Sequence, residues 1–177
     1  MARISLIEED NHPELGELIG RIRSGRRGRL LNVYKLLLHA PALAATWFEH
    51  LNTVRWKTEL AGRLREIMII RVARLNGIEY VLQQHLPTLA LAEGLTLSEC
   101  DALADWHGSP CFDQRERAAL AFADEMTRGV QVPDETFGAL RRHFSERQIV
   151  ELAVLIGTYN MHNRVFAALE IDPESDS

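Results

Sequence analysis

The 177-residue sequence predicts an all-α fold, a compact bundle of about eight helices. Three observations predict it. Apolar residues recur at i, i+3 and i+4 through most of the chain, no stretch of useful length alternates as a strand does, and capping and stop residues divide the periodic segments. Hydrophobic residues make up 46% of the chain, enough to fill a core without a disulfide or metal staple. Residues 1–170 read as a single helical domain and 171–177 as a frayed, polar, acidic tail.

Pro13 suits the first turn of a helix reaching about Arg23, and Ser24–Arg29 (SGRRGR) reads as a basic, glycine-containing loop. Leu30–His39 follows as a short helix stopped before Pro41. Pro41 then opens another helix, Ala42 to about Val54, with Leu43, Trp47 and Leu51 on one face. Thr58 is a candidate N-cap for a long helix ending at Asn76-Gly77, along which Leu60, Leu64, Met68, Val72 and Leu75 form a buried stripe. Glu79–Glu93 makes the next helix, bent by Pro87 and closed by Gly94. Thr96 or Ser98 caps a helix to about Trp106, and Gly108-Ser109-Pro110 breaks the chain. Asp113 caps Arg115–Arg128, which Gly129 stops, and Pro133 begins a short helix to His143. Ser145 and Gln148 form a capping box for Glu146 to about Leu169, a helix apolar on several sides and so expected at the centre.

A net charge of −5 argues against nucleic acid or an anionic membrane as a partner. Arg21, Arg23, Arg26, Arg27 and Arg29 lack interleaved aromatics and read as a solvated loop or subunit contact, though one able to attract an acidic substrate. No window is apolar enough to span a membrane, and Met1–Asp10 lacks the basic and apolar regions of a secretory leader. Cytoplasmic localisation is therefore expected. Cys100 and Cys111 fit no zinc or CxxC spacing, and His85, His107, His143 and His162 form no HxxxH or HExxH pair, so neither metal nor cofactor is expected. The two cysteines read as a buried apolar thiol and a loop thiol.

Glu66 and His85 are the candidate catalytic residues. On a helix, Glu66 shares its face with Gly62, Arg63, Ile69, Ile70 and Ala73, where desolvation would raise its pKa toward the range useful for moving protons. The plainer alternative is a surface carboxylate paired with Arg63 or Arg65. His85 precedes Pro87 by two residues, and a carbonyl freed at the bend would fix one imidazole tautomer. The alternative for His85 is a histidine satisfied structurally at that bend.

The ordered set Arg65-Glu66, Asn76-Gly77, Glu79-Tyr80, Gln84-His85 and Ala92-Glu93-Gly94-Leu95 resembles the core signature of the carboxymuconolactone decarboxylase family, which includes the alkylhydroperoxidase D-like proteins. Tyr159-Asn160-Met161-His162-Asn163-Arg164 resembles the closing segment of one branch, and the likeness covers most of residues 30–170. The resemblance implies an alkylhydroperoxidase D-like fold, with Glu66 as a proton-relay glutamate and His85 as its histidine. It also implies a homo-oligomer, whether dimer, trimer or hexamer. The peroxidase branch carries a Cys-x-x-Cys ahead of that histidine, and Ile78 and Val81 stand at those positions here. Neither can supply a thiolate.

A carboxyl and an imidazole without sulfur suit proton transfer to or from carbon, as in a decarboxylase, lyase or isomerase acting on a small organic acid, lactone or carbonyl compound. Glu79, Tyr80 and Tyr159 are candidate pocket residues, and Asn160 and His162 candidate partners of Glu66 across the bundle or of a neighbouring subunit. The competing expectations are alkylhydroperoxidase-like antioxidant activity through an atypical thiol and a non-catalytic oligomeric scaffold.

Overall fold

The computed structural model of the chain describes residues 2–174, so residues 175–177 of the expected tail lie outside the described residues. Ten α-helices follow two single 3-10 turns, and no strand is found among the described residues. The helices are α1 (Gly16–Ser24), α2 (Asn32–Leu37), α3 (Pro41–Trp56), α4 (Gly62–Asn76) and α5 (Glu79–His85). After them come α6 (Leu89–Ala92), α7 (Leu97–Ala102), α8 (Gln114–Arg128), α9 (Asp134–Arg141) and α10 (Glu146–Leu169).

Two compact units share these elements. The first comprises the residues up to 53 and those from 166 onward. In it Tyr34 meets Phe48 edge-on, and the Arg26 guanidinium covers both rings while donating to the Tyr34 hydroxyl and to Asn52. Arg21 and Arg23 face Glu49 and Glu9, so three arginines of the basic run are structural contacts within this unit. The tail is not frayed as far as residue 174. The Asn32 amide donates to the carbonyls of Asp172 and Pro173, and its backbone N–H donates to Glu174.

The second unit, residues 54–165, is built around α4. Every side chain from Leu64 to Ala73 is buried, so α4 rather than α10 is the helix enclosed on all sides. It packs most extensively against α8, and Arg71 ties the two together. Its guanidinium makes two 2.6 Å bonds to the Asp124 carboxylate and donates to the carbonyls of Leu103 and Ala104. A buried pair satisfied on both sides fixes register, and removing one partner is costly.

Local chemistry accounts for the remaining departures from the expected boundaries. Thr58 does not cap α4; its hydroxyl bonds back to the Val54 carbonyl at the end of α3, and α4 starts at Gly62 without a side-chain cap. Pro87 does more than bend its segment, because it cannot donate an N–H, and the expected helix divides into α5 and α6. Leu43 is 62% exposed, whereas the expected Leu51 is buried, with Ala44 and Phe48 beside it on the buried face of α3. Capping boxes at Thr96 with Glu99 and at Asp113 with Glu116 start α7 and α8, and Ser145 with Gln148 starts α10. Along α10, Val150, Val154 and Met161 are exposed at heptad spacing, with Gly157 between them.

Candidate active site

Glu66 lies in the second turn of α4 and is completely buried. The αL turn at Gly77 reverses the chain and lays α5 back against α4, which brings the buried His85 to the same level. The His85 Nδ1 is 2.6 Å from the Glu66 Oε2. A carboxylate accepts and does not donate, so Nδ1 carries the proton, and in the neutral ring Nε2 then keeps its lone pair.

Two arginines surround the other carboxylate oxygen. The Arg65 Nε lies 3.5 Å and the Arg55 Nη2 3.8 Å from Glu66 Oε1. Arg65 is itself held, donating to the Arg55 carbonyl at 3.0 Å and to the Glu93 carboxylate at 2.6 Å. Two guanidiniums thus balance two carboxylates. Trp56, 54% exposed, stacks on both guanidiniums at 4.7 Å, and it and the partly exposed Glu93 are where the cluster meets solvent. The Glu66 Oε1, the Arg65 Nε and the Arg55 Nε and Nη2 are buried with no hydrogen-bond partner.

Glycine at 62 makes room for this arrangement. A Cβ on that residue would fall within the Glu93 carboxylate, which would have to leave its present position beside Arg65.

The electrostatics reverse the expected direction for Glu66. Burial pushes its pKa up, but the His85 hydrogen bond and the charges of His85, Arg55 and Arg65 outweigh burial and hold the carboxyl below its ordinary value. Burial pushes the His85 imidazole down, opposed in part by Glu66 and reinforced by Arg55 and Arg65. At neutral pH the pair is an ionised carboxylate orienting a neutral imidazole. His85, not Glu66, is therefore the group with a basic site to offer.

The other expected site residues divide. Tyr159 is buried and presents its ring edge-on to His85 at 5.8 Å, and His162 lies 5.5 Å beyond it, ring to ring. Tyr80 is buried on α5, five residues before His85. Asn160 does not reach Glu66: its amide donates to the Thr127 hydroxyl and the Ile156 carbonyl, and its oxygen accepts from Asn76 and Arg164. Glu79 is exposed and lines a different cleft. Arg55, Trp56 and Glu93 were not anticipated in the site. Arg55-Trp56 sits in a different helix with no spacing to link it to Glu66, whereas Glu93 stood within the resembling segment without an evident role.

Cys100 is buried on α7, where burial raises its thiol pKa, and Cys111 is exposed after the Gly108 break. Among the described residues, no group of three or more His, Cys, Asp or Glu side chains could hold a metal ion, and no helix is long and apolar enough to cross a membrane.

The family model for carboxymuconolactone decarboxylase matches residues 41–125, which include Glu66, His85, Arg55, Arg65 and Glu93. The uncharacterised YdfG of Bacillus subtilis (strain 168) is 31% identical over 107 residues, 59% of this chain and 72% of that protein. A peroxidase-related protein from Ralstonia eutropha JMP134 with an alkylhydroperoxidase AhpD core superposes with a TM-score of 0.83 at 22% identity, over 98% of this chain and 93% of that one. The debrominase Bmp8, solved with 2,3,4-tribromopyrrole, gives a TM-score of 0.81 at 21% identity over 99% of this chain and 95% of its own. The two structures show a shared all-α fold, and with the family match and YdfG the conclusion is that this chain belongs to the carboxymuconolactone decarboxylase family.

Proposed function

We propose that this protein is an enzyme that uses Glu66 and His85 to move a proton to or from carbon in a small organic acid, lactone or carbonyl compound. The observation that carries this reading is the 2.6 Å contact between two buried side chains, a carboxyl held below its ordinary pKa and an imidazole pushed below its own. Glu66 fixes the tautomer, His85 Nε2 takes the proton, and Glu66 stabilises the imidazolium that forms. Positioned acid–base groups of this kind contribute about 10²- to 10⁴-fold in rate.

The unsatisfied donors of Arg55 and Arg65 add a second element. Facing Glu66 Oε1 at 3.5 and 3.8 Å, the two guanidiniums favour the ionised carboxylate that supports His85 as it gains a proton. Thiol-based hydroperoxide reduction is less well supported, since the buried Cys100 is held protonated and Cys111 lies on a loop.

The exposed heptad-spaced residues of α10, Val150, Val154 and Met161, suit contact with a second copy, and we place the protein as a homo-oligomer in the reducing cytoplasm. Deuterium uptake from D2O into acetoacetate, oxaloacetate and related carbon acids, followed by NMR, tests the central proposal. Enzyme-dependent uptake should survive the double replacement Cys100→Ala and Cys111→Ser and be lost in Glu66→Gln and His85→Gln. Loss in the cysteine variant alone would favour the thiol reading, and a fully folded protein inert toward the whole panel would favour the scaffold reading.

A further inference from the structure

A cleft of about 490 Å³ opens where α4 turns into α5, and none of its lining residues belongs to the Glu66–His85 cluster. Its volume falls within the range of small-molecule sites. Three arginines line it, but they are not equivalent. Arg71 is fully engaged by Asp124 and two carbonyls. Arg74 gives one bond to the Cys100 carbonyl, faces the 83% exposed Asp101 at 3.4 Å, and keeps a buried Nε without a hydrogen-bond partner. Arg128 is 63% exposed and lies 3.8 Å from an Asp124 oxygen that Arg71 already occupies.

Asp101 thus faces Arg74 and Asp124 faces Arg128 from outside the lining, and the lining itself supplies one carboxylate, Glu79. Within the lining three guanidiniums meet that one carboxylate, on a chain whose net charge is −5. Its remaining wall is apolar, from Leu75, Leu82 and Ala104. Gly77 completes the rim at φ +67°, and a Cβ there would meet nothing within 4 Å.

We infer that this cleft binds a small amphipathic monoanion, its carboxylate held by Arg74 and Arg128 and its short alkyl or aryl body laid against Leu75, Leu82 and Ala104. A guanidinium pair holds a planar carboxylate through charge-assisted hydrogen bonds.

The test is a ¹H–¹⁵N NMR titration of the full chain with octanoate and, as its uncharged counterpart, 1-octanol. Octanoate should shift the Gly77 and Leu82 amides saturably, with affinity about tenfold or more above that of 1-octanol. Arg74→Gln and Arg128→Gln should each weaken octanoate by about threefold or more, while Glu79→Gln should tighten it by about twofold. Arg128 and Glu79 are exposed, so those two variants remain folded and informative even if Arg74→Gln is not. Equal binding of the two ligands, shifts confined to other residues, absence of saturable shifts, or indifference to the Arg128 and Glu79 replacements would each overturn the assignment. Binding only of an acidic peptide, with octanoate excluded, would overturn it in favour of a protein partner.

Discussion

The Glu93 carboxylate occupies the space where a side chain at residue 62 would begin, and from there it holds Arg65 at 2.6 Å. The first residue of α4 thus governs a charge network one turn further on. Gly62→Ala should displace Glu93, break its bond to Arg65 and lower stability by about 1 kcal/mol despite the better helix propensity of alanine. Gly20, inside α1 with open space around its Cβ position, provides the control. Gly20→Ala should stabilise by about 0.5–1 kcal/mol. Denaturant unfolding of both variants checks the opposite signs.

Arg71 and Asp124 bear the largest expected mutational cost in the second unit. Both are buried and doubly bonded, so Asp124→Ala leaves an uncompensated guanidinium. A loss of about 3–5 kcal/mol is expected, and a thermal melt reads it directly.

Stability should fall in mild acid because of His85. Burial lowers the folded pKa below its ordinary 6.5, so under pH 6.5 the unfolded chain binds a proton that the folded chain does not. The contribution is fully present above pH 6.5 and is lost as pH falls toward the lowered value. Glu66, also held below its ordinary value, adds a further loss below pH 4.5. Urea midpoints of wild type and His85→Gln measured from pH 4 to 8 should differ in slope below pH 6.5 and run parallel above it.

The two thiols should react at very different rates. Cys111 is exposed and Cys100 buried with a raised pKa, so a thiol reagent such as DTNB should label one equivalent promptly and the second only on unfolding.

The helical architecture was legible because its signals are local. Capping boxes at Asp113 and Ser145 and the glycine stop at Gly77 each lie within a few residues of the boundary they set. Thr58 misled because a hydroxyl can return to the preceding helix as readily as cap the next. Glu66 and His85 were recoverable from residue type, helical position and resemblance, but the direction of the Glu66 pKa was not. It depends on Arg55 and on the actual contact with His85, and burial alone predicts the opposite sign. Arg71–Asp124 was likewise hidden, since 53 residues separate partners that only the packing of α4 on α8 brings together. Asn160 was misplaced because a buried amide on α10 has several polar neighbours, and Thr127 and Asn76 are the ones within reach.

The protonation of the Glu66–His85 pair is the measurement on which the mechanism turns. ¹⁵N NMR of the imidazole at pH 7 should show His85 neutral, with the proton on Nδ1 and Nε2 bare, and Glu66→Gln should alter that signal more than any other histidine resonance. A doubly protonated His85 at pH 7, or a proton residing on Nε2, would leave the site without its base and contradict the account.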